Sequence, residues 1–167
     1  LPEREMRERF VDRRFGYHVI SFLDYSQNPY RAEKDSIIRK WNLGITEGSR
    51  GEYRKGKLVN PSHPLVFYID TCCPSEFVPY IKEGVLAWNA AFEKAGFKNA
   101  LRVKMADSET VLEEQRAVIA YDLSEAGIRT GYTFHPKTGE ILSCRVNIGH
   151  GFLPKELWRD LLECGLK

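Results

Sequence analysis

The chain has 167 residues, enough for one domain with a sizeable apolar core and a small appendage. Its 25 Lys and Arg side chains nearly balance 23 Asp and Glu, and a net charge of +2 gives no reason to expect nucleic acid or an anionic membrane as the main partner. No apolar run approaches the roughly 18–20 residues of a transmembrane helix. The chain begins at Leu1 without a methionine or a signal peptide, so a leader or a preceding region could have been removed.

The N-terminal part is predicted to be a charged arm followed by a small β appendage. Residues 1–14 are dense in charge and have Phe10 and Val11 as their apolar anchors, a pattern typical of a solvated helix or a frayed arm. Apolar and β-branched residues then predict two strands, Tyr17–Leu23 and Ile38–Leu43.

The best candidate for a boundary is the glycine- and proline-rich stretch 46–63. Its few apolar anchors predict a surface loop, with a small hairpin around Tyr53. The arm, the appendage and the linker therefore span residues 1–62, and the main α/β part spans residues 63–167.

The main part is organised around a strand, a helix and a second strand. Leu65–Ile69 is a continuous apolar run, and Leu101–Met105 alternates in polarity. Between them, Ser75 can cap a long helix that ends at Gly96, although Pro79 could move the start a turn later or kink the first turn. A strand, a crossover helix and a strand imply a right-handed parallel unit, so the fold class is α/β (α+β) with a mixed twisted sheet.

One face of the predicted helix is apolar, and beside it lies a stripe of residues with small side chains. Helical spacing places the apolar residues on one side, and ordinary packing on a sheet or a groove reserved for another helix would each explain the small stripe beside them. The apolar members are Phe77, Ile81, Val85, Trp88 and Phe92, and the small members are Gly84, Ala87, Ala91 and Ala95.

Three further strands and a terminal helix are predicted after the central unit. Ala117–Tyr121 is a strand candidate of the main sheet. Ile128–Phe134 and Glu140–Ile148 flank a turn that contains Pro136 and Gly139, which predicts a hairpin. Pro154 suits the first turn of the terminal helix.

The search for catalytic motifs returns mostly negatives. The sequence has no GxSxG elbow, no phosphate-binding GxxxxGK[ST] loop and no HExxH pair of zinc-binding histidines. Of the four scattered histidines, His150 stands out because glycines on both sides allow close backbone approach, although a structural role is the more common reason for such a residue.

The cysteine spacing matches no zinc knuckle and no CxxC redox pair. A site built from Cys72, Cys73, Cys144 and His150 is an alternative to plain buried or surface thiols. The pairing of these cysteines and of Cys164 is left open, and so is the redox compartment.

Several segments together resemble a family of bacterial zinc-dependent metallopeptidases related to the metzincins. Residues 12–17 are similar to that family's Asp-Pro-Arg-Val-Gly-Tyr, and residues 38–43 are similar to its Arg-Trp-Arg-Leu strand. The resemblance extends from about Asp12 to Phe152, and the helix run is its most specific part. The segments are Asp12-Arg13-Arg14-Phe15-Gly16-Tyr17, Ile38-Arg39-Lys40-Trp41-Asn42-Leu43, Pro64-Leu65-Val66-Phe67-Tyr68-Ile69-Asp70, the run from Glu83 to Ala100, and Pro136-Lys137-Thr138-Gly139-Glu140-Ile141-Leu142-Ser143.

The resemblance implies the N-terminal half of a peptidase domain. In that family the HExxH helix lies after the segment where this chain stops, so zinc is expected in the intact parent and none in this chain. The small stripe would then be the packing face for the active-site helix. The strand Glu140–Ile148 would form the rim of the cleft and pair with a peptide substrate through an unpaired edge, although an ordinary inner or edge strand explains it equally well. The candidate cleft residues are Glu140, Ile141, Ser143, Arg145, Asn147 and His150.

Two hypotheses of function follow. In the first, the chain is the N-terminal portion of a secreted or extracytoplasmic zinc metallopeptidase, whose intact parent hydrolyses peptide or protein substrates. In the second, it is a non-catalytic module that binds a peptide or a protein on a peptidase-like scaffold. Fold alone does not decide between them.

Overall fold

The computed structural model describes residues 6–12, 14–26, 30–107, 117–123 and 127–151. Within these ranges the chain forms seven strands and three α-helices. The strands are β1 (Val19–Asp24), β2 (Glu33–Ile38), β3 (Leu65–Ile69), β4 (Leu101–Met105), β5 (Ala117–Asp122), β6 (Ile128–Phe134) and β7 (Ile141–Gly149), and the helices are α1 (Arg50–Arg54), α2 (Val78–Ala87) and α3 (Asn89–Lys94). The predicted helix after Pro154 lies outside the described residues.

The strands form two sheets, and the predicted α/β class is confirmed. β1 and β2 make an antiparallel pair, and the second sheet has the order β4-β3-β5-β7-β6. In it, β3 is parallel to both β4 and β5, and β5 is parallel to β7. Since a parallel connection needs a crossover of a dozen or more residues, the short turn between β6 and β7 makes that pair an antiparallel hairpin and the sheet mixed.

The central strand–helix–strand unit is parallel, as predicted. β3 and β4 align from Leu65 opposite Leu101 to Ile69 opposite Met105, with the helices as the crossover. The side chain of Ile69 is fully buried, and the first four residues of β5 are buried too. These short apolar strands form the core of the sheet.

The helix predicted between Ser75 and Gly96 begins later than Ser75, an alternative that Pro79 left open, and it is not continuous. Phe77, not Ser75, precedes the first turn. Pro79 lies in that turn, where the backbone N–H that proline lacks would have no acceptor within the helix. The helix is interrupted at Trp88, and the Trp88 side chain is 67% exposed, whereas the other members of the predicted apolar face are half-buried. Only the end is as expected, because Gly96 adopts the left-handed backbone (φ +92°) of a residue that stops a helix.

The interruption coincides with a contact between α3 and the sheet. Asn89 Oδ1 accepts a hydrogen bond from the backbone N–H of Leu101 at 2.9 Å, and Asn89 Nδ2 donates to the Leu101 carbonyl at 3.2 Å. This side chain therefore fixes the first residue of α3 against the first residue of β4.

The predictions for residues 38–63 are largely wrong. β2 ends at Ile38, where the second strand was expected to begin. A short 3-10 helix, Glu47–Ser49, and α1 replace the expected loop and hairpin. Tertiary contacts explain α1, because the Tyr53 ring lies 5.4 Å from the Phe97 ring and its hydroxyl donates to the Ala95 carbonyl at 3.1 Å. No local pattern announces those partners, which lie about forty residues further along the chain.

The chain divides into two compact units. Unit 1 comprises residues 1–42 and 132–143, and unit 2 comprises residues 43–131 and 144–167. The boundary predicted between residues 62 and 63 stays a prediction. Among the described residues, no helix is long and apolar enough to cross a membrane.

Candidate functional site

The predicted cleft strand corresponds to β7, and β7 is an inner strand. It lies between β5 and β6, and its pairing with β5 extends from Cys144 opposite Ala117 to Gly149 opposite Asp122. The expectation of an unpaired edge on this strand is therefore wrong. The hairpin explains the difference, because β6 covers the side of β7 that the prediction left open.

The six predicted cleft residues differ in burial and in hydrogen-bond partners. Glu140 is buried, and its Oε1 accepts a hydrogen bond from Asn42 Nδ2 at 3.0 Å. Arg145 is exposed, and its Nε donates to Asn147 Oδ1 at 3.2 Å. Ile141 and Ser143 are half-buried in unit 1, while the last three members, Arg145, Asn147 and His150, belong to unit 2.

His150 lies at the carboxyl end of the parallel strands, where open α/β sheets commonly bind ligands. Its Nδ1 shares a hydrogen bond of 2.6 Å with the hydroxyl of Tyr121, and the two rings meet edge to face at 6.0 Å. The Tyr121 ring also lies 5.8 Å from that of Phe77. A hydroxyl paired with an imidazole can hold or pass a proton.

Asp70 follows β3 at the same end of the sheet. It is buried, and its Oδ1 accepts hydrogen bonds from the Cys72 backbone N–H at 3.2 Å and the Thr71 hydroxyl at 3.4 Å. Burial, and after it the Asp70 carboxylate, raises the pKa of the Cys73 thiol. The carboxylate thus shapes the turn after β3 through its hydrogen bonds to Thr71 and Cys72.

The alternative metal site is not found. Within the described ranges, which include Cys72, Cys73, Cys144 and His150, no three His, Cys, Asp or Glu side chains are grouped closely enough to hold a metal ion. Cys72 is exposed and Cys73 is buried, and neither is in a disulfide.

The small-residue stripe of the crossover helices does not pack on the sheet. All four members, Gly84, Ala87, Ala91 and Ala95, are exposed, and a methyl group added at Gly84 would meet no atom within 4 Å. Ordinary close packing therefore does not explain the stripe in the described part of the chain. That another helix covers it stays a prediction.

Two strands form the edges of the five-stranded sheet, and they differ in charge. β4 carries Arg102 and Lys104, the kind of side chains that guard an edge against pairing. The single charged residue of β6 is Arg129, and six of the seven residues of this strand are exposed. At its centre, Gly131 has nothing within 4 Å of an added methyl group. Among the described strands, β6 therefore has the more accessible edge.

Unit 1 contains a cavity that sequence reasoning missed. It has a volume of about 260 Å³ and is lined by His18, Arg39, Lys40, Trp41, Tyr132 and Ile141. The Arg39 guanidinium lies 5.9 Å from the Tyr132 ring centre and 5.8 Å from that of Phe134. The residues come from two distant stretches of the chain. Their only signal in the sequence is the run Arg39-Lys40-Trp41, which the pattern of apolar residues assigns to a strand.

A single backbone bridge holds this run beside the β6–β7 turn. The Lys40 N–H donates to the Gly139 carbonyl at 3.0 Å, and the Ile141 N–H donates to the Lys40 carbonyl at 2.9 Å. Gly139 has a φ of +69°, and an added Cβ would overlap the carbonyl oxygen of Ile38. Only glycine fits this position without a shift of the backbone.

Comparison with known proteins gives one match. Residues 1–46 match the family model of a domain of unknown function (DUF5117), which is 46 of the 167 residues. No curated protein and no solved structure matches the chain significantly. Four of the six residues that line the cavity, His18, Arg39, Lys40 and Trp41, lie within the matched segment.

Proposed function

We propose that the chain is the N-terminal portion of a zinc-dependent metallopeptidase and supplies the sheet on which the peptide substrate docks. Support comes from the resemblance of segments between Asp12 and Phe152, in the expected order. The parallel unit of β3, the crossover helices and β4 is compatible with it. The extracytoplasmic location inferred from the same resemblance belongs to this proposal.

The observation that carries the proposal is the open edge of β6. An edge strand presents unpaired N–H and C=O groups, and an extended peptide can add to the sheet by bonding to them. The docking strand is therefore β6 rather than β7. Side chains that line the edge, such as those of Ile128 and Thr130, would contact alternate residues of the peptide.

The described residues do not fit a catalytic zinc ion. A hydrolytic zinc site needs three protein ligands, and no such group exists within the described ranges. The metal and the glutamate that activates water would have to come from an HExxH helix of the intact parent. This chain by itself is expected to bind peptide and to cleave none.

A second candidate is a non-catalytic module that binds a peptide or a protein. The same open edge of β6 favours it, because strand addition needs no metal. The two candidates differ in one outcome only, since the intact parent hydrolyses the docked peptide in the first and releases it unchanged in the second.

Amide hydrogen exchange tests docking on the chain itself. The probe is a mixture of unstructured peptides of seven residues, the length of β6, with acetylated and amidated ends. We expect the peptides to slow exchange of the β6 amides and to leave β4 unchanged. Equal protection of both edges, or none, would rule out the docking edge.

Proline substitution supplies the matched variants. Neighbouring residues of a strand direct their N–H groups to opposite sides, so only one of Arg129→Pro and Thr130→Pro removes a bond to β7. The variant whose free energy of unfolding is unchanged has lost an N–H that points away from β7. In that variant the peptides should no longer slow exchange of the β6 amides. Unchanged protection in that variant would contradict the proposal.

A further inference from the structure

The cavity of unit 1 contains an arginine whose hydrogen-bonding edge is incompletely used. Arg39 Nε is buried, and it has no hydrogen-bond partner among the described residues. A buried donor in this state is costly unless a ligand or water pairs with it. The rings of Tyr132 and Phe134 lie against the guanidinium, which leaves the in-plane N–H groups for a partner.

The charges around the cavity favour an anion. Arg39 and Lys40 line it. The pKa of the Lys40 amine is lowered, mainly by burial and in addition by the nearby positive charge of Arg9. Glu140 opposes that shift as the one carboxylate that acts on Lys40, and it already accepts a hydrogen bond from Asn42. Two cationic residues and no carboxylate are therefore among the residues that line the cavity, and Lys40 Nζ also donates a hydrogen bond to the Arg7 carbonyl at 3.0 Å. A planar guanidinium matches a planar anion through two parallel bonds.

The remaining walls are apolar or aromatic. Trp41, Tyr132, Ile141 and the imidazole ring of His18 provide them, and the volume of about 260 Å³ is below the usual range of roughly 300–1,000 Å³ for ligand pockets. We propose that the cavity binds a carboxylate attached to a small apolar or aromatic group, with Arg39 as its anchor. The carboxylate belongs either to a free organic acid or to the C-terminus of a peptide with an apolar last residue.

The site does not depend on the peptidase proposal. Its residues all belong to unit 1, whereas the proline variants of β6 test residues of unit 2 with peptides that lack a terminal carboxylate. Each proposal can therefore fail without the other.

Titration calorimetry on the whole chain provides the test. The probes are 3-phenylpropionate and its neutral amide, 3-phenylpropionamide. We expect the acid to bind and the amide to bind at least about tenfold more weakly, because a hydrogen bond to a charged group is lost. Equal affinities, or no binding of the acid at about 10 mM, would overturn the proposal.

A second pair of probes distinguishes the two sources of the carboxylate. A tripeptide that ends in phenylalanine is compared with its C-terminal amide. Tighter binding of the free tripeptide than of 3-phenylpropionate would identify a peptide terminus, and the reverse order would identify a small organic acid. Failure of both carboxylates would overturn the shared chemistry.

Variants locate the anchor. Arg39→Gln should weaken binding of 3-phenylpropionate about tenfold or more, and Arg39→Lys, which keeps the charge without the planar fork, should give an intermediate loss. Arg102→Gln is the matched control, since it removes one positive charge from an exposed residue of β4 in unit 2. An equal loss in Arg102→Gln would contradict the assignment. If Arg39→Gln fails to fold, the comparison of acid with amide on the unaltered chain still decides the question.

Discussion

The two units differ in what occupies their interiors. The described core of unit 2 is apolar and regular, with Ile69, Leu101 and the first residues of β5 buried along parallel strands. In unit 1, Ile37 is the buried apolar residue, and it is accompanied by the buried polar residues His135, Thr138 and Glu140. Burial of apolar area stabilises unit 2, whereas hydrogen bonds and the turn at Gly139 contribute more to the stability of unit 1. Among the described residues, unit 1 therefore has the more polar interior.

The largest expected effect tests the apolar core of unit 2. Ile69→Ala removes a fully buried side chain and should lower the free energy of unfolding by about 2–5 kcal/mol. Its partner in the parallel register, Met105, is 52% exposed, so Met105→Ala should change that free energy by less than about 1 kcal/mol. Chemical denaturation measures both variants, and similar losses would mean that the core lies elsewhere.

The second effect tests the glycine turn of unit 1. Gly139→Ala adds a Cβ that overlaps the Ile38 carbonyl at a positive φ, and it should lower the free energy of unfolding by about 2 kcal/mol or more. Gly131→Ala enters open space on β6 and should leave stability unchanged or raise it by up to about 1 kcal/mol. If both variants melt at the same temperature as the original chain, the close turn is not formed in solution.

The third effect concerns the polar contact between α3 and β4. Asn89→Ala leaves the buried Leu101 backbone without both of its side-chain partners and should lower the free energy of unfolding by about 1–3 kcal/mol. Asn60→Ala removes an exposed bond to Asn99 and should have an effect of at most about 0.5 kcal/mol. The comparison fails if the two asparagines prove equally important in denaturant titrations.

The smallest effect distinguishes two neighbouring thiols of unit 2. Cys72 is exposed, while Cys73 is buried and has a raised pKa because of burial and the Asp70 carboxylate. Since the thiolate is the reactive form, iodoacetamide at neutral pH should alkylate Cys72 about tenfold faster than Cys73. Because its pKa is raised, the rate at Cys73 should keep rising as the pH is increased beyond the ordinary pKa of a thiol. Peptide mass mapping over time follows both sites, and equal rates would contradict the burial of Cys73.

The sequence predicts the regular part of the molecule well. The apolar runs at Leu65–Ile69 and Ala117–Tyr121 placed β3 and β5, and Pro136 with Gly139 placed the turn of the β6–β7 hairpin. The apolar runs identify β3 and β5 because both are inner strands of the sheet, and Ile69 of β3 and the first four residues of β5 are buried.

The rest depends on partners that are distant in the chain. Local propensity could not show that Lys40 bridges to Glu140, and so the strand expected after Ile38 is missing. Similarly, the position of β7 inside the sheet follows from the pairing of the whole hairpin. The cavity around Arg39 joins side chains about ninety residues apart, which no single motif encodes.

The most direct test of the central claim is amide hydrogen exchange of the whole chain with and without the end-capped seven-residue peptides. If β6 is the docking edge of a peptidase sheet, its amides exchange more slowly when peptide is present, and those of the charged edge strand β4 do not. Exchange at β6 that is unchanged by saturating peptide would contradict the claim.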